Sequence, residues 1–137
     1  MSKLSKKLVF IVDDDPDDRQ IVLDALIENH PGLDYLFIPS AEELLLRLGT
    51  PGADRPQLIL LDLNMPGIKG LQALKEIREE RMFTQIPIIV LTTSTLDKDR
   101  ELSYELGASC FLTKPYSYKK MVSVAHAIVT LWLLEDE

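Results

Sequence analysis

Five aspartates stand within six consecutive positions near the start of the sequence: Asp13, Asp14, Asp15, Asp17 and Asp18. Far from them lie Asp62, Thr92 and Lys114. Together, Asp13, Asp14, Asp62, Thr92 and Lys114 would have a definite chemistry. Two carboxylates about 5 Å apart repel by roughly 3 kcal/mol at an effective dielectric near 20, so three of them need a cation. A set of oxygen ligands without His or Cys suits Mg²⁺, which takes few carboxylates and keeps several waters. The ion and Lys114 would neutralise phosphoryl oxygens, and Thr92 would donate a hydrogen bond to them. Asp62 is then the nucleophile, because a carboxylate can form an aspartyl phosphate.

Each residue alone has a plainer reading. Asp13 and Asp14 could cap a helix, Asp62 could open the turn at Asn64-Met65-Pro66-Gly67, and Thr92, Thr93 and Ser94 could form a capping loop. Lys114 could pair with any acid. Asp15, Asp17 and Asp18 are assigned to the favourable field of a helix N-terminus. It is the combination that points to phosphoryl chemistry.

The elements that must position these residues alternate along the chain. Leu8–Val12 is a short apolar run rich in β-branched residues, as in a strand buried on both faces. Asp15 and Pro16 then open a helix in which Ile21, Val22, Ala25 and Leu26 recur at helical spacing up to about Asn29. Tyr35–Ile38 reads as a second strand. Ser40-Ala41-Glu42-Glu43 is a capping box, and its helix stops at Gly49. Leu58–Leu61 is a third strand ending at Asp62, followed by a helix marked by Leu71, Leu74 and Ile77. Pro87–Leu91 is a fourth, ending at Thr92. Leu102 and Leu106 support a helix stopped by Gly107, although its charged start at Asp97-Lys98-Asp99-Arg100 is poorly marked. Ser109–Leu112 is a fifth strand, ending at Thr113-Lys114-Pro115. A last helix runs from Met121 past Trp132.

Short apolar strands alternating with helices imply an α/β fold, a doubly wound five-stranded parallel sheet with helices on both faces. Ligands of such sheets bind outside the carboxyl ends of the strands, where Asp13, Asp14, Asp62, Thr92 and Lys114 all fall.

Length and charge narrow the function further. A chain of 137 residues suits one domain, read as residues 1–137 with a core of about 8–134 and a short extension at 1–7. Single Cys110 excludes an intramolecular disulfide and a cysteine-based zinc site, and is read as a buried strand residue. No apolar run reaches membrane-spanning length and residues 1–7 lack a signal-peptide core, so the expected location is cytoplasmic. The net charge of −7 argues against nucleic-acid backbone binding. Most of it is local: outside Asp13–Asp18 the acids exceed the bases by only two. His30 is read as a turn residue, His126 as a surface or boundary residue, and Trp132 as core or interface.

Val12-Asp13-Asp14-Asp15-Pro16, Leu61-Asp62-Leu63-Asn64-Met65-Pro66-Gly67 with Gly70, Val90-Leu91-Thr92-Thr93 and Leu112-Thr113-Lys114-Pro115 resemble the receiver domain of bacterial two-component response regulators. The resemblance runs from about Leu8 to Leu134. It implies a flavodoxin-like fold with strand order 2-1-3-4-5 and phosphorylation of Asp62 by a sensor histidine kinase or phosphotransfer protein. It also implies Mg²⁺ held by Asp14 and Asp62, by Asp13 mainly through water, and by the backbone carbonyl of Asn64. Thr92 and Lys114 would contact the phosphoryl group, and the Lys114–Pro115 peptide is often cis in this family. Ser94 and Asn64 sit where receivers tune the lifetime of the phosphate.

The family often has Tyr or His where this chain has Phe111, so a Thr92–Phe111 switch would work without a hydroxyl bond. Tyr104-Glu105-Leu106-Gly107-Ala108 with Leu91-Thr92-Thr93-Ser94 resembles lone receivers partnered with sensor kinases such as bacterial phytochromes. Output is then expected through protein contact at the fourth helix, fifth strand and fifth helix, with an unidentified downstream target and room for a homodimer. Such a receiver is not an enzyme beyond transfer to, and hydrolysis from, its own aspartate.

Two other classes compete. A phosphohydrolase of the haloacid dehalogenase type also uses Asp, Thr/Ser, Lys and Mg²⁺, and Asp13 and Asp15 match its Asp-x-Asp spacing. However, no acidic pair follows Lys114 until Glu135-Asp136. A flavin-binding module needs a phosphate cradle after the first strand, where this chain has repelling aspartates. A phosphate-independent scaffold would bind its partner equally with and without phosphorylation.

Overall fold

The strands place their apolar residues alternately on the two sides of one sheet, and each side is covered by helices. A computed structural model of the chain describes residues 7–65, 67 and 69–133. Pro66, Leu134, the acidic pair Glu135-Asp136 and most of the 1–7 extension lie outside the described residues. The strands are β1 (Leu8–Val12), β2 (Asp34–Ile38), β3 (Leu58–Leu61), β4 (Ile88–Thr92) and β5 (Cys110–Thr113). The helices are α1 (Pro16–Asn29), α2 (Ala41–Leu48), α3 (Gly70–Glu79), α4 (Asp97–Glu105) and α5 (Tyr118–Ile128). All pairings are parallel, in the order β2-β1-β3-β4-β5.

Phe10, Val12, Ile59, Leu61, Ile88, Val90 and Phe111 form one side of the core with Ala41 and Leu44 of α2 and Ala73, Leu74 and Ile77 of α3. Val9, Ile11, Leu58, Leu60, Ile89 and Leu91 form the other with Leu23, Ala25 and Leu26 of α1 and Met121, Ala125 and Ile128 of α5. The central strands are buried on both faces, which is why they read as unbroken apolar runs.

Helix starts follow the predicted chemistry where a side chain supplies it. The Asp15 carboxylate accepts from the Asp17 and Asp18 N–H groups, and Ser40 accepts from Glu43 N–H. The poorly marked start of α4 has a different explanation. Leu96 at its N-cap offers no side-chain bond, and Ser103 is the one buried residue along the helix. Ser94 Oγ instead accepts from Leu96 N–H and donates to Asp99.

Three details depart from the sequence reading. A 3-10 turn at Arg81–Phe83 and a π-helical turn at Val129–Leu133 follow α3 and α5. Cys110 is half-buried rather than buried, because β5 is an edge strand that pairs with β4 alone. No cis peptide bond occurs among the described residues, so Lys114–Pro115 is trans, the lower-energy isomer of an ordinary X–Pro bond.

Candidate functional site

The ladder brings the strand ends together. Asp62 N–H donates to Val12 O at 3.0 Å, which sets Asp62 beside Asp13 where β1 and β3 end. Lys114 N–H donates to Thr92 O at 2.7 Å, which sets the last residues of β4 and β5 side by side. Because β3 and β4 are neighbours, all four strand ends meet at one edge.

Local turns fix the acids. Asp13 Oδ1 accepts from Asp15 N–H at 3.0 Å and Asp62 Oδ1 from Asn64 N–H at 3.1 Å, each closing an Asx turn. The close approach at the start of α3 requires glycine. A Cβ on Gly70 would lie 2.7 Å from the Asp62 carbonyl oxygen and 2.9 Å from Leu63 Cα. Arg19 reinforces the first strand end from α1, donating to the Asp13 carbonyl at 3.2 Å while its guanidinium stacks over Phe37.

Asp13, Asp14 and Asp62 each present a carboxylate oxygen within 4.8 Å of the others. Asp13 and Asp62 are buried and Asp14 is exposed. Among the described residues, the Asp14 side chain makes no hydrogen bond or ion pair. This all-oxygen set, open to solvent at one member, fits a hard divalent cation that keeps part of its water.

Lys114 Nζ is the counter-charge. It lies 2.6 Å from Asp13 Oδ2, 3.2 Å from Asp18 Oδ2 and 3.4 Å from Asp62 Oδ2, with 10% of its side chain exposed. Burial alone would lower its pKa, but the three carboxylates outweigh burial and hold it above the usual 10.5. Burial pushes Asp13 above 3.8, beyond what Lys114 and the Asp15 N–H pull back. The Asp62 charge adds to that rise.

Thr92 is fully buried. Its Oγ1 accepts from Asn64 Nδ2 at 3.3 Å and from Ser94 N–H at 3.4 Å. Both bonds use the oxygen as acceptor, so the hydroxyl hydrogen is left to donate elsewhere. Phe111 lies buried on the same side of the sheet, with the Arg100 guanidinium 5.4 Å from its ring centre.

The structure therefore brings Asp13, Asp14, Asp62, Asn64, Thr92 and Lys114 together at one edge of the sheet. Asp18, which the sequence reading left to the helix field, also reaches Lys114. Asn64 contributes a side chain as well, its amide donating from the loop after β3 to the Thr92 and Thr93 hydroxyls at the end of β4. The place of Asp18 in the first turn of α1, four residues after Asp14, could have hinted at its reach to Lys114. The Asn64 bridge needs the β3–β4 pairing, which no local pattern shows.

The chain matches the response regulator receiver domain family over residues 9–126. It is 32% identical to the response regulator Rcp1 of Synechocystis sp. over 131 residues, covering 93% of this chain and 89% of that protein. Among solved structures it is similar to the phosphorylated cyanobacterial phytochrome response regulator RcpA, with a TM-score of 0.89 and 29% identity over 97% of this chain and 98% of that one. It is also similar to the Mn²⁺-bound form of Rcp1, with a TM-score of 0.85 and 31% identity over 96% and 97% of the two chains. With its 2-1-3-4-5 sheet and the aspartate cluster at the strand ends, the chain belongs to the response regulator receiver domains of two-component signalling.

Proposed function

We propose that Asp62 is the phosphoacceptor of a two-component phosphorelay and that its phosphorylation switches a protein-binding surface. The observation that carries this reading is the convergence of Asp13, Asp14, Asp62, Thr92 and Lys114 from four strand ends. The donor is a sensor histidine kinase or phosphotransfer protein. Mg²⁺ is the fitting ion; Asp14, Asp62 and the Asn64 backbone carbonyl would hold it, with Asp13 acting mainly through water. When bound it supplies charge neutralisation for the phosphoryl oxygens.

A carboxylate oxygen of Asp62 attacks phosphorus. The bond from phosphorus to the donor nitrogen breaks, and its electron pair leaves with the donor imidazole, which takes up a proton. Lys114 follows the charge from the Asp62 carboxylate to the new phosphoryl oxygens. Thr92 supplies its free hydroxyl hydrogen to one of them. Hydrolysis of the same acyl phosphate by water resets the site.

The switch runs through Thr92 and the β4–α4 loop. Moving Thr92 toward the phosphoryl group means giving up its bonds from Asn64 and Ser94, and Ser94 is in turn bonded to Asp99 of α4 and through its carbonyl to Thr113 of β5. Phe111 packs in the core beneath α4, with Arg100 over its ring and its N–H donating to the Tyr104 hydroxyl. The α4–β5–α5 face is therefore the output surface for the downstream protein, and phosphorylation shifts its equilibrium. No helix among the described residues is long and apolar enough to cross a membrane. Residues 1–137 act as a single receiver domain.

Incubating the protein with Mg²⁺ and a small phosphodonor should add one phosphate by intact mass, and Asp62→Asn should abolish it. Undiminished labelling of that variant would sink the assignment.

A further inference from the structure

Lys114 has three ammonium hydrogens and faces three carboxylates, and these differ in exposure. The side chains of Asp13 and Asp62 are 5% and 8% exposed, whereas that of Asp18 is 38% exposed. Asp18 and Lys114 line a cleft of about 280 Å³ with Ile21, Thr93, Pro115 and Tyr116, and Lys114 links that cleft to Asp13 and Asp62. Asp18 is therefore the member of the Lys114 trio that an incoming molecule meets first. It belongs to α1, while the cluster itself is built from strand ends, so its charge is independent of the ladder geometry that fixes Asp13 and Asp62.

We propose that Asp18 is a specificity-determining residue for phosphoryl transfer. It competes for Lys114 and sets a negative charge at the mouth of the site, so that small dianionic phosphodonors are disfavoured against donors of lower charge. The proposal rests on the reading of Asp62 as phosphoacceptor. A phosphoryl group arriving at Asp62 has to draw Lys114 toward itself and away from Asp18, and it does so against the Asp18 charge. Asparagine at position 18 keeps a carbonyl oxygen for Lys114 and removes only that charge.

The test compares initial labelling rates of the full chain, its Asp18→Asn variant and its Asp18→Glu variant, with Mg²⁺ and one of two donors. Acetyl phosphate is a dianion and phosphoramidate is a monoanion at neutral pH. Coulomb's law in water between a unit charge and a dianion about 8 Å away gives Asp18→Asn a gain of about sixfold with acetyl phosphate. The gain should be smaller with phosphoramidate, and both should shrink in high salt. Asp18→Glu should restore the wild-type rates. An unchanged or slower rate with acetyl phosphate, or an equal gain with both donors, overturns the proposal. A purely structural role for Asp18 would alter both rates alike. Asp62→Asn runs alongside as a control: label that persists there, or wild-type protein that takes none, refutes the phosphoacceptor reading itself.

Discussion

Asp14 offers a way to measure the repulsion inside the cluster without disturbing its packing. It is exposed, and its side chain has no bonded partner among the described residues. It also presents an oxygen within 4.8 Å of both Asp13 and Asp62. At that distance in water each pair repels by roughly 0.9 kcal/mol, and Lys114 offsets part of the total. Asp14→Asn should therefore stabilise the metal-free protein by about 1 kcal/mol, or about 3 °C in Tm. Saturating Mg²⁺ should reverse the order. At a free-ion concentration about a hundred times Kd the wild type gains about 2.7 kcal/mol, and a variant lacking one charged ligand gains less. Thermal melts followed by circular dichroism, in EDTA and in Mg²⁺, read both effects. A lower Tm for the variant in EDTA, or the same Mg²⁺-induced shift in both proteins, would refute the reasoning.

Two further outcomes are expected. Gly70→Ala puts a methyl group into backbone on both the Asp62 and Leu63 sides, so the urea midpoint should fall by the equivalent of about 2 kcal/mol and labelling should slow; an unchanged midpoint would mean that α3 can shift freely. Lys114 has a folded-state pKa above 10.5, so its pairing stabilises fully below pH 10.5 and is lost as pH rises through the higher folded value. Urea melts at alkaline pH should show that loss in the wild type and lack it in Lys114→Met.

The strands were legible because central parallel strands bury both faces, and the apolar runs at Leu8–Val12, Leu58–Leu61 and Ile88–Leu91 carry that signature. Asp13, Asp62 and Thr92 were legible as candidates because each follows such a run directly. What the sequence hid depends on how layers dock. Asp18 looks like an ordinary first-turn acid until α1 is set against the end of β5, 96 residues away. The Asn64 bridge to Thr92 spans 28 positions and exists only through the β3–β4 pairing. The start of α4 was obscure because its one buried residue, Ser103, carries no apolar periodicity. The 3-10 turn at Arg81–Phe83 is held partly from outside, by Arg78 donating to the Phe83 carbonyl at 2.9 Å and to that of Gly107 at 2.8 Å.

The edge position of β5 has a consequence for native-state fluctuations. Edge strands open more readily than central ones, and local opening is what amide hydrogen exchange detects. Here one of the two edge strands, β5, leads directly into Lys114, whose ammonium pairs with Asp13, 101 residues away. Each excursion of β5 would withdraw Lys114 and return the carboxylates to mutual repulsion, so electrostatics at the strand ends oppose fraying along the whole edge. A phosphoryl group on Asp62 that grips Lys114 harder would slow exchange throughout β5. The charge state of one aspartate is thereby written into the breathing of the strand that borders α4 and α5.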